Sequence, residues 1–447
     1  MHNHGSFSPA RATRACRWSG GAAIVSVGLL CASCRHTGAE TAFYAAPPPP
    51  PAALPAAGIY PQGRTLAFMG YSGDPGRDLT NGFTVAGPVY GNQAPYVGRC
   101  ISNRWPVVAH VGPPVTFQDK HPDRCKLDEP GLRQTVAAQV DELATHPEIA
   151  WWAIHPEELR PWRGDEMQYL AIVSDTIRAH DPRKRPVFLY NPNHRDAGSL
   201  RPIAPWVDVV GKGCYVNSVG RKRDRAWVRW SIEQELAALR AAGRTNAIAL
   251  LMPELCRDPE PAEDAEIPAW VRHDVYLGLA SGAKGVLIWS LFRRGEVRRT
   301  WRAWYDAYAG CGRELNGPRG LAQVFLFGAP RTNLVVRRQG AAAEARVQLG
   351  GAAEPATTSE QERAAREVRL PAWTAAEYAW DRSRWLFIVN SANEPASFTV
   401  TGWPAGSVAV GAFDDAPAPL PARAPLAVSL PAYGVAGIRF SAQPRTP

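Results

Sequence analysis

The sequence of 447 residues exceeds one ordinary domain and suits a barrel of about 250 residues with a smaller companion. Hydrophobic residues make up 45%, which excludes a disordered chain. The formal net charge of +9 is interspersed with 41 acidic residues and forms no long basic run, which argues against a nucleic-acid partner.

In chain order, Arg11, Arg14 and Arg17 precede an apolar run at 22–30 that is too short to span a bilayer. The stretch Leu30-Cys31-Ala32-Ser33-Cys34 then resembles the lipobox of bacterial lipoproteins, with Cys34 as the lipidated residue. Cys31 stands where that motif has Leu, so ordinary signal cleavage is the alternative. The expectation is a signal peptide at 1–33 and a Pro-rich linker at 34–58, whose proline run at 47–51 forms a stiff polyproline II spacer. Such a chain is exported. It would be a periplasmic, outer-membrane or cell-surface lipoprotein that meets the membrane through its lipid anchor, or otherwise a secreted protein.

From 59 to 310, short apolar runs alternate with amphipathic stretches, the pattern of βα units around a parallel sheet. Eight runs fit strands: 66–71, 83–86, 106–111, 149–154, 186–190, 207–211, 247–252 and 285–289. Leu132, Val136, Val140 and Leu143 share one helical face, and Leu170, Val173 and Ile177 another, in a helix that Asp165 can cap. Segments 233–242 and 270–280 supply two more helices. The fold class is α/β, a (β/α)8 TIM barrel at 59–317. Beyond 317, short runs near 334, 345, 385, 397, 408, 426 and 434, separated by Gly, Pro, Asn and Asp, predict a C-terminal all-β sandwich at 318–447. The polar stretch 351–367 reads as an exposed loop.

Neither a phosphate loop nor a Gly-x-Ser-x-Gly elbow is present, so no nucleotide cofactor and no serine-hydrolase chemistry is expected. Cys100, Cys125, Cys214, Cys256 and Cys311 match no zinc spacing, and no metal is expected. Cys100 and Cys125 are the nearest candidates for a disulfide. Cys214 and Cys256 read as core.

Barrel sites lie at the C-terminal strand ends. The fourth run leads into His155-Pro156-Glu157-Glu158 and the seventh into Pro253-Glu254. A carboxyl that donates a proton and a carboxylate that attacks or activates water are what glycosidic cleavage requires. Adjacent charges on Glu157 and Glu158 would raise each other's pKa, which suits a general acid. Around these, Tyr71, Tyr90, His110, His155, Asn193, His194, Lys212, Tyr215 and Trp289 sit at or after strand ends and are candidates to bind substrate. Arg293, Arg294, Arg298 and Arg299 form either a solvated helix face or a rim for an acidic sugar.

This arrangement resembles the clan-A-like retaining glycoside hydrolases built on the (β/α)8 barrel. The stretch Trp151-Trp152-Ala153-Ile154-His155-Pro156-Glu157-Glu158 is similar to their strand-four motif, with Glu157 standing where Asn is usual. The resemblance implies Glu158 as acid/base, with Glu157 the alternative, and Glu254 as nucleophile. It further implies Tyr215 as the aromatic beside that nucleophile and Trp289 as the floor of the first sugar subsite. A polysaccharide or oligosaccharide is the implied substrate. A non-catalytic carbohydrate-binding lipoprotein on the same barrel, or a transglycosidase or lyase, are the rivals.

Overall fold

A computed structural model describes residues 54–55, 57–113, 127–216, 224–340, 344–350, 358–404, 406–414, 417–418 and 425–442. The export signal, Cys34, the proline run and Cys125 lie outside these residues.

Seven parallel strands form one sheet in the order β1-β7-β6-β5-β4-β3-β2. They are β1 (Ala67–Gly70), β2 (Val107–Val111), β3 (Ile149–Ile154), β4 (Val187–Asn191), β5 (Val209–Cys214), β6 (Ile248–Pro253) and β7 (Gly285–Ile288). The expected second strand, 83–86, is present as a bridge between β1 and β2 rather than a full strand. The Thr84 N–H donates to the Phe68 carbonyl at 2.9 Å, and the Val108 N–H donates to the Ala86 carbonyl at 2.9 Å. On the other side of Phe68, the ladder runs through a side chain, because the Phe68 N–H donates to Thr84 Oγ1 at 2.9 Å. A hydroxyl replacing a carbonyl satisfies the donor but shortens the strand. The ring of eight positions is nevertheless closed, so β3 is fourth and β6 seventh around the barrel.

Alternation along each strand separates two layers. Residues facing the helices include Val107, Ala109, Trp152, Ile154, Leu189 and Val210, which pack with the buried face of α3 (Glu129–Ala144) and α4 (Gly164–His180). Residues facing the barrel axis include Val108, Trp151, Ala153 and Phe188. In α4 the N-cap is Arg163 without a side-chain cap bond, and Asp165 falls in the first turn, so the capping role expected of Asp165 is not realised. Asp165 still opposes the partial positive charge of the helix start. The remaining barrel helices include α6 (Trp227–Ala241), α7 (Ile267–Ala280) and α8 (Trp301–Leu315).

After α9 (Leu321–Phe327) the regular structure among the described residues is β-strand apart from one helical turn. A six-stranded antiparallel sheet and a three-stranded one enclose a core that contains Leu386, Ile388, Phe398, Val400, Leu430 and Phe440. The outer face of the larger sheet meets the barrel through Phe387 and Tyr378, which pack with Tyr276 of α7 and Phe325 of α9. A separate hairpin pairs β10 (Glu344–Leu349) with β11 (Arg366–Pro371).

Within the excursion between these two strands, 358–366 is not the exposed loop its polarity suggests. Ser359 caps a single helical turn, Glu360–Arg363, in a capping box with Glu362. Thr358 and Glu362 are buried. The Glu362 carboxylate pairs with the fully buried Arg195 of the barrel at 2.8 Å, and Arg366 pairs with Asp196 at 2.6 Å. Burying a carboxylate is costly without a charged partner, and Arg195 supplies one.

Candidate active site

The loop that leaves β3 carries His155, Glu157 and Glu158. The Glu158 N–H donates to the Tyr190 carbonyl at 3.2 Å, which ties this loop to the end of β4. Glu158 adopts φ of +63°, a left-handed conformation that costs a non-glycine residue on the order of 1 kcal/mol. Glu157 is half-buried, and its Oε2 accepts a hydrogen bond from the Tyr71 hydroxyl at 3.0 Å. The same Tyr71 oxygen lies 2.9 Å from His110 Nε2. Three strand ends thus meet in one chain of contacts, His110–Tyr71–Glu157.

The electrostatics separate the members of this chain. Burial, reinforced by the charge of Glu158, raises the Glu157 carboxyl to about 7, against the lowering effect of the Tyr71 bond. Burial, reinforced by His155, lowers His110 to about 3, so its ring is neutral near pH 7. Burial likewise lowers His155. The Tyr71 phenol is held well above its ordinary value by burial and by the Glu157 charge. Tyr71 therefore stays a hydroxyl. It donates to Glu157 when that group is ionised and is free to turn toward His110 Nε2 when Glu157 holds a proton.

An aromatic wall continues from this chain. Tyr71 stacks on Tyr90 with centroids 4.5 Å apart, and the Trp289 indole N–H donates to the Tyr90 hydroxyl. Trp289 also stacks on Tyr215 at 5.1 Å, and the Tyr215 hydroxyl donates to Tyr190 at 2.8 Å. Burial first, then the charges of Glu158 and Glu157, raises the Tyr190 phenol.

Glu254 follows β6 and is buried. Leu251 packs against Gly278 of α7, whereas Met252 reaches Gly211 inside the barrel, so alternation aims Glu254 toward the axis. Glu254 forms a bridge with Trp289, its neighbour at the end of β7. Its Oε2 accepts from the Cys256 thiol at 3.3 Å, and its carbonyl accepts from Tyr308 at 2.8 Å. Cys256 is half-buried at this position rather than part of the core. Among the described residues no two cysteines are bonded. The contacts Glu254–Trp289–Tyr90–Tyr71–Glu157 link the two carboxyl positions around the mouth.

Two expected substrate-binding residues, Lys212 and His194, are placed differently. Lys212 is fully buried and points between β5 and α6, where Nζ donates to Ser231 Oγ at 2.9 Å and lies 4.3 Å above the Trp230 ring. Burial lowers it to about 8. It cannot reach a ligand over the strand ends, because Gly211 and Gly213 hold the inward positions of β5. His194 Nε2 lies 3.9 Å from Glu362 and belongs with the Arg195–Glu362 pair. Asn193 is half-buried in the same loop.

Tyr190 was missed by sequence reasoning, although alternation from Phe188 predicts its inward aim. Trp162, exposed and stacked on Arg195 with the guanidinium 4.8 Å from its ring, was also missed. The loop after β3 offered no periodicity that would mark it.

The fold has solved counterparts. AmyP in complex with maltose matches with a TM-score of 0.51 at 8% identity, over 86% of this chain and 96% of that one. The α-amylase from Geobacillus thermoleovorans, complexed with acarbose, matches at 0.47 and 8% identity, over 82% and 90% of the two chains. A family 39 glycoside hydrolase from Bacteroides cellulosilyticus WH2 matches at 0.48 and 11% identity, over 84% and 81%. At such identities the likeness is one of fold. No family model and no curated protein matches the sequence.

Proposed function

We propose that this protein is a glycoside hydrolase acting on a polysaccharide or oligosaccharide, with Glu157 as general acid and Glu254 as the second carboxylate. The observation that carries the reading is the state of Glu157. A carboxyl raised to about 7, hydrogen-bonded to Tyr71 and set in an aromatic cleft at a barrel strand end, is matched to donating a proton near neutral pH. Glu157 thereby displaces Glu158 as the preferred acid. Burial, with the like charge of Glu158 added, favours the protonated form of Glu157.

In the proposed reaction Glu157 protonates the glycosidic oxygen as the bond to the anomeric carbon breaks. Glu254 then attacks that carbon, and Glu157, now ionised and held by Tyr71, takes a proton from the water that releases the sugar. Tyr90, Tyr215 and Trp289 shape the cleft. The maltose bound in the matched AmyP structure supports a glycan as ligand. We further propose export, with lipidation at Cys34 as the anchor.

The test is reducing-end release from a broad panel of plant, algal, bacterial and animal polysaccharides. Wild type should release sugar from at least one polymer, and Glu157→Gln and Glu254→Gln should each lose about 100-fold or more in kcat. Unchanged turnover in Glu254→Gln would overturn its role. Products that absorb in the ultraviolet would identify a lyase instead.

A further inference from the structure

Of the four arginines that follow β7, Arg299 is spent on Asp264 and on the carbonyl of Pro259. Arg293 and Arg298 are exposed. Arg294 is different. Its guanidinium carbon lies 4.0 Å from the Trp289 ring centroid, and no carboxylate pairs with it among the described residues. Its charge also reaches the Tyr90 phenol, lowering a pKa that burial and Glu157 raise. Trp289 is thus already engaged twice, by Tyr215 and by a guanidinium, where the resemblance would leave its face open to a sugar.

We infer that the cleft recognises an anionic glycan, and that Arg294, lying over the Trp289 ring, binds the carboxylate or sulfate ester of a sugar unit in that cleft. This inference rests on the reading of the cleft as a glycan site and names the substrate class. The physical argument is one of geometry and compensation. A guanidinium presents five N–H donors in a plane, and stacking on an indole satisfies none of them. Contact with the ring does restrict the side chain, so less freedom is left to lose when its N–H groups bond to an oxyanion. A neutral sugar in the same place offers only hydroxyls, which gain less from a cation. The positive charge lies over Trp289 and within reach of Tyr90, on the aromatic wall that leads to Glu157 through Tyr71. Exposed Arg293 and Arg298 add to the same local field.

The experiment is calorimetric titration of the full chain carrying Glu157→Gln, which suppresses turnover. The probes are tetragalacturonate, a sulfated κ-carrageenan tetrasaccharide, cellotetraose and xylotetraose. Tighter binding of either anionic probe than of both neutral ones, weakened about tenfold or more by adding Arg294→Ala and partly restored by Arg294→Lys, supports the inference. The arm that binds distinguishes carboxylate from sulfate. Equal or tighter binding of the neutral probes, or anionic binding that Arg294→Ala leaves intact, overturns it. Should Arg294→Ala fail to fold, the preference of the unsubstituted chain for anionic over neutral probes, and its weakening between 50 and 300 mM salt, carries the same decision. Cleavage of neutral polymers with no Arg294 dependence would sink this inference and leave the hydrolase reading standing. Arg294-dependent anionic binding with no cleavage of any polymer would do the reverse.

Discussion

Replacing Glu157 with Gln should make the protein more stable at alkaline pH while abolishing its chemistry. The Glu157 carboxyl ordinarily titrates near 4.5 and is raised to about 7 in the folded chain. A raised carboxyl binds its proton more tightly when folded, so its contribution to stability is complete below pH 4.5 and is lost as pH climbs through 7. The loss at pH 8.5 is about 3 kcal/mol, at 1.36 kcal/mol for each unit between the two values. Gln has the same shape, keeps an oxygen to accept from Tyr71, and never ionises. Thermal unfolding of wild type and variant at pH 4 and pH 8.5 reads the difference. For a domain of this size 1 kcal/mol moves Tm by about 2–4 °C, so the variant should melt several degrees higher at pH 8.5 and within a degree at pH 4. A variant that melts lower at pH 8.5, or shows the same difference at both pH values, would refute the assignment of a buried, proton-holding Glu157.

Three further outcomes follow from the same geometry. Tyr71→Phe removes a donor to the ionised form of Glu157, so the alkaline limb of kcat/KM should rise by about one pH unit. A limb that stays put or falls would dissociate Tyr71 from the acid. Glu362→Ala leaves Arg195 buried without its carboxylate and should cost about 3–5 kcal/mol in chemical denaturation, whereas an exposed loop would lose under 1 kcal/mol. Lys212→Met removes the charge that opposes the effect of burial on Glu235 between β5 and α6 and should cost about 1–3 kcal/mol in stability, with turnover of the folded protein retained. A loss of turnover without a loss of stability would return Lys212 to the cleft.

The barrel was legible because its strands are apolar runs of the right length, and alternation within them carries orientation. Ala153, Phe188 and Met252 face the axis, and their successors His155, Tyr190 and Glu254 follow suit. The same parity argues that Lys212, flanked by Gly211 and Gly213, faces the helices, a reading that attention to run ends alone overlooks. The fourth-run and seventh-run carboxyls were found from the strand-end rule. The choice between Glu157 and Glu158 was not readable, because it depends on where a loop turns and which carboxyl Tyr71 meets across the barrel. Two further strands, β11 of the separate hairpin and β12 (Trp373–Trp380) of the larger sandwich sheet, also escaped notice. The first carries three charged residues among six, and the second interrupts its strand formers with Ala375, Ala376, Glu377 and Ala379 and is completed by pairing with β13 (Ser383–Asn390). The polar turn at 358–363 looked like solvent-facing loop because its burial comes from Arg195, more than 150 residues earlier, and no local pattern encodes such a partner.

The most direct test of the central claim compares two leaving groups on one sugar, once the panel has identified it. Dinitrophenolate departs without a proton, whereas a sugar hydroxyl needs one, so only the second should depend on a general acid. In Glu157→Ala, kcat/KM for the natural glycosidic bond should fall by about 1,000-fold while that for the dinitrophenyl glycoside falls far less, and added azide should yield a glycosyl azide. Equal losses on both substrates, or the same discrimination in Glu158→Ala but not in Glu157→Ala, would contradict the assignment of Glu157 as proton donor.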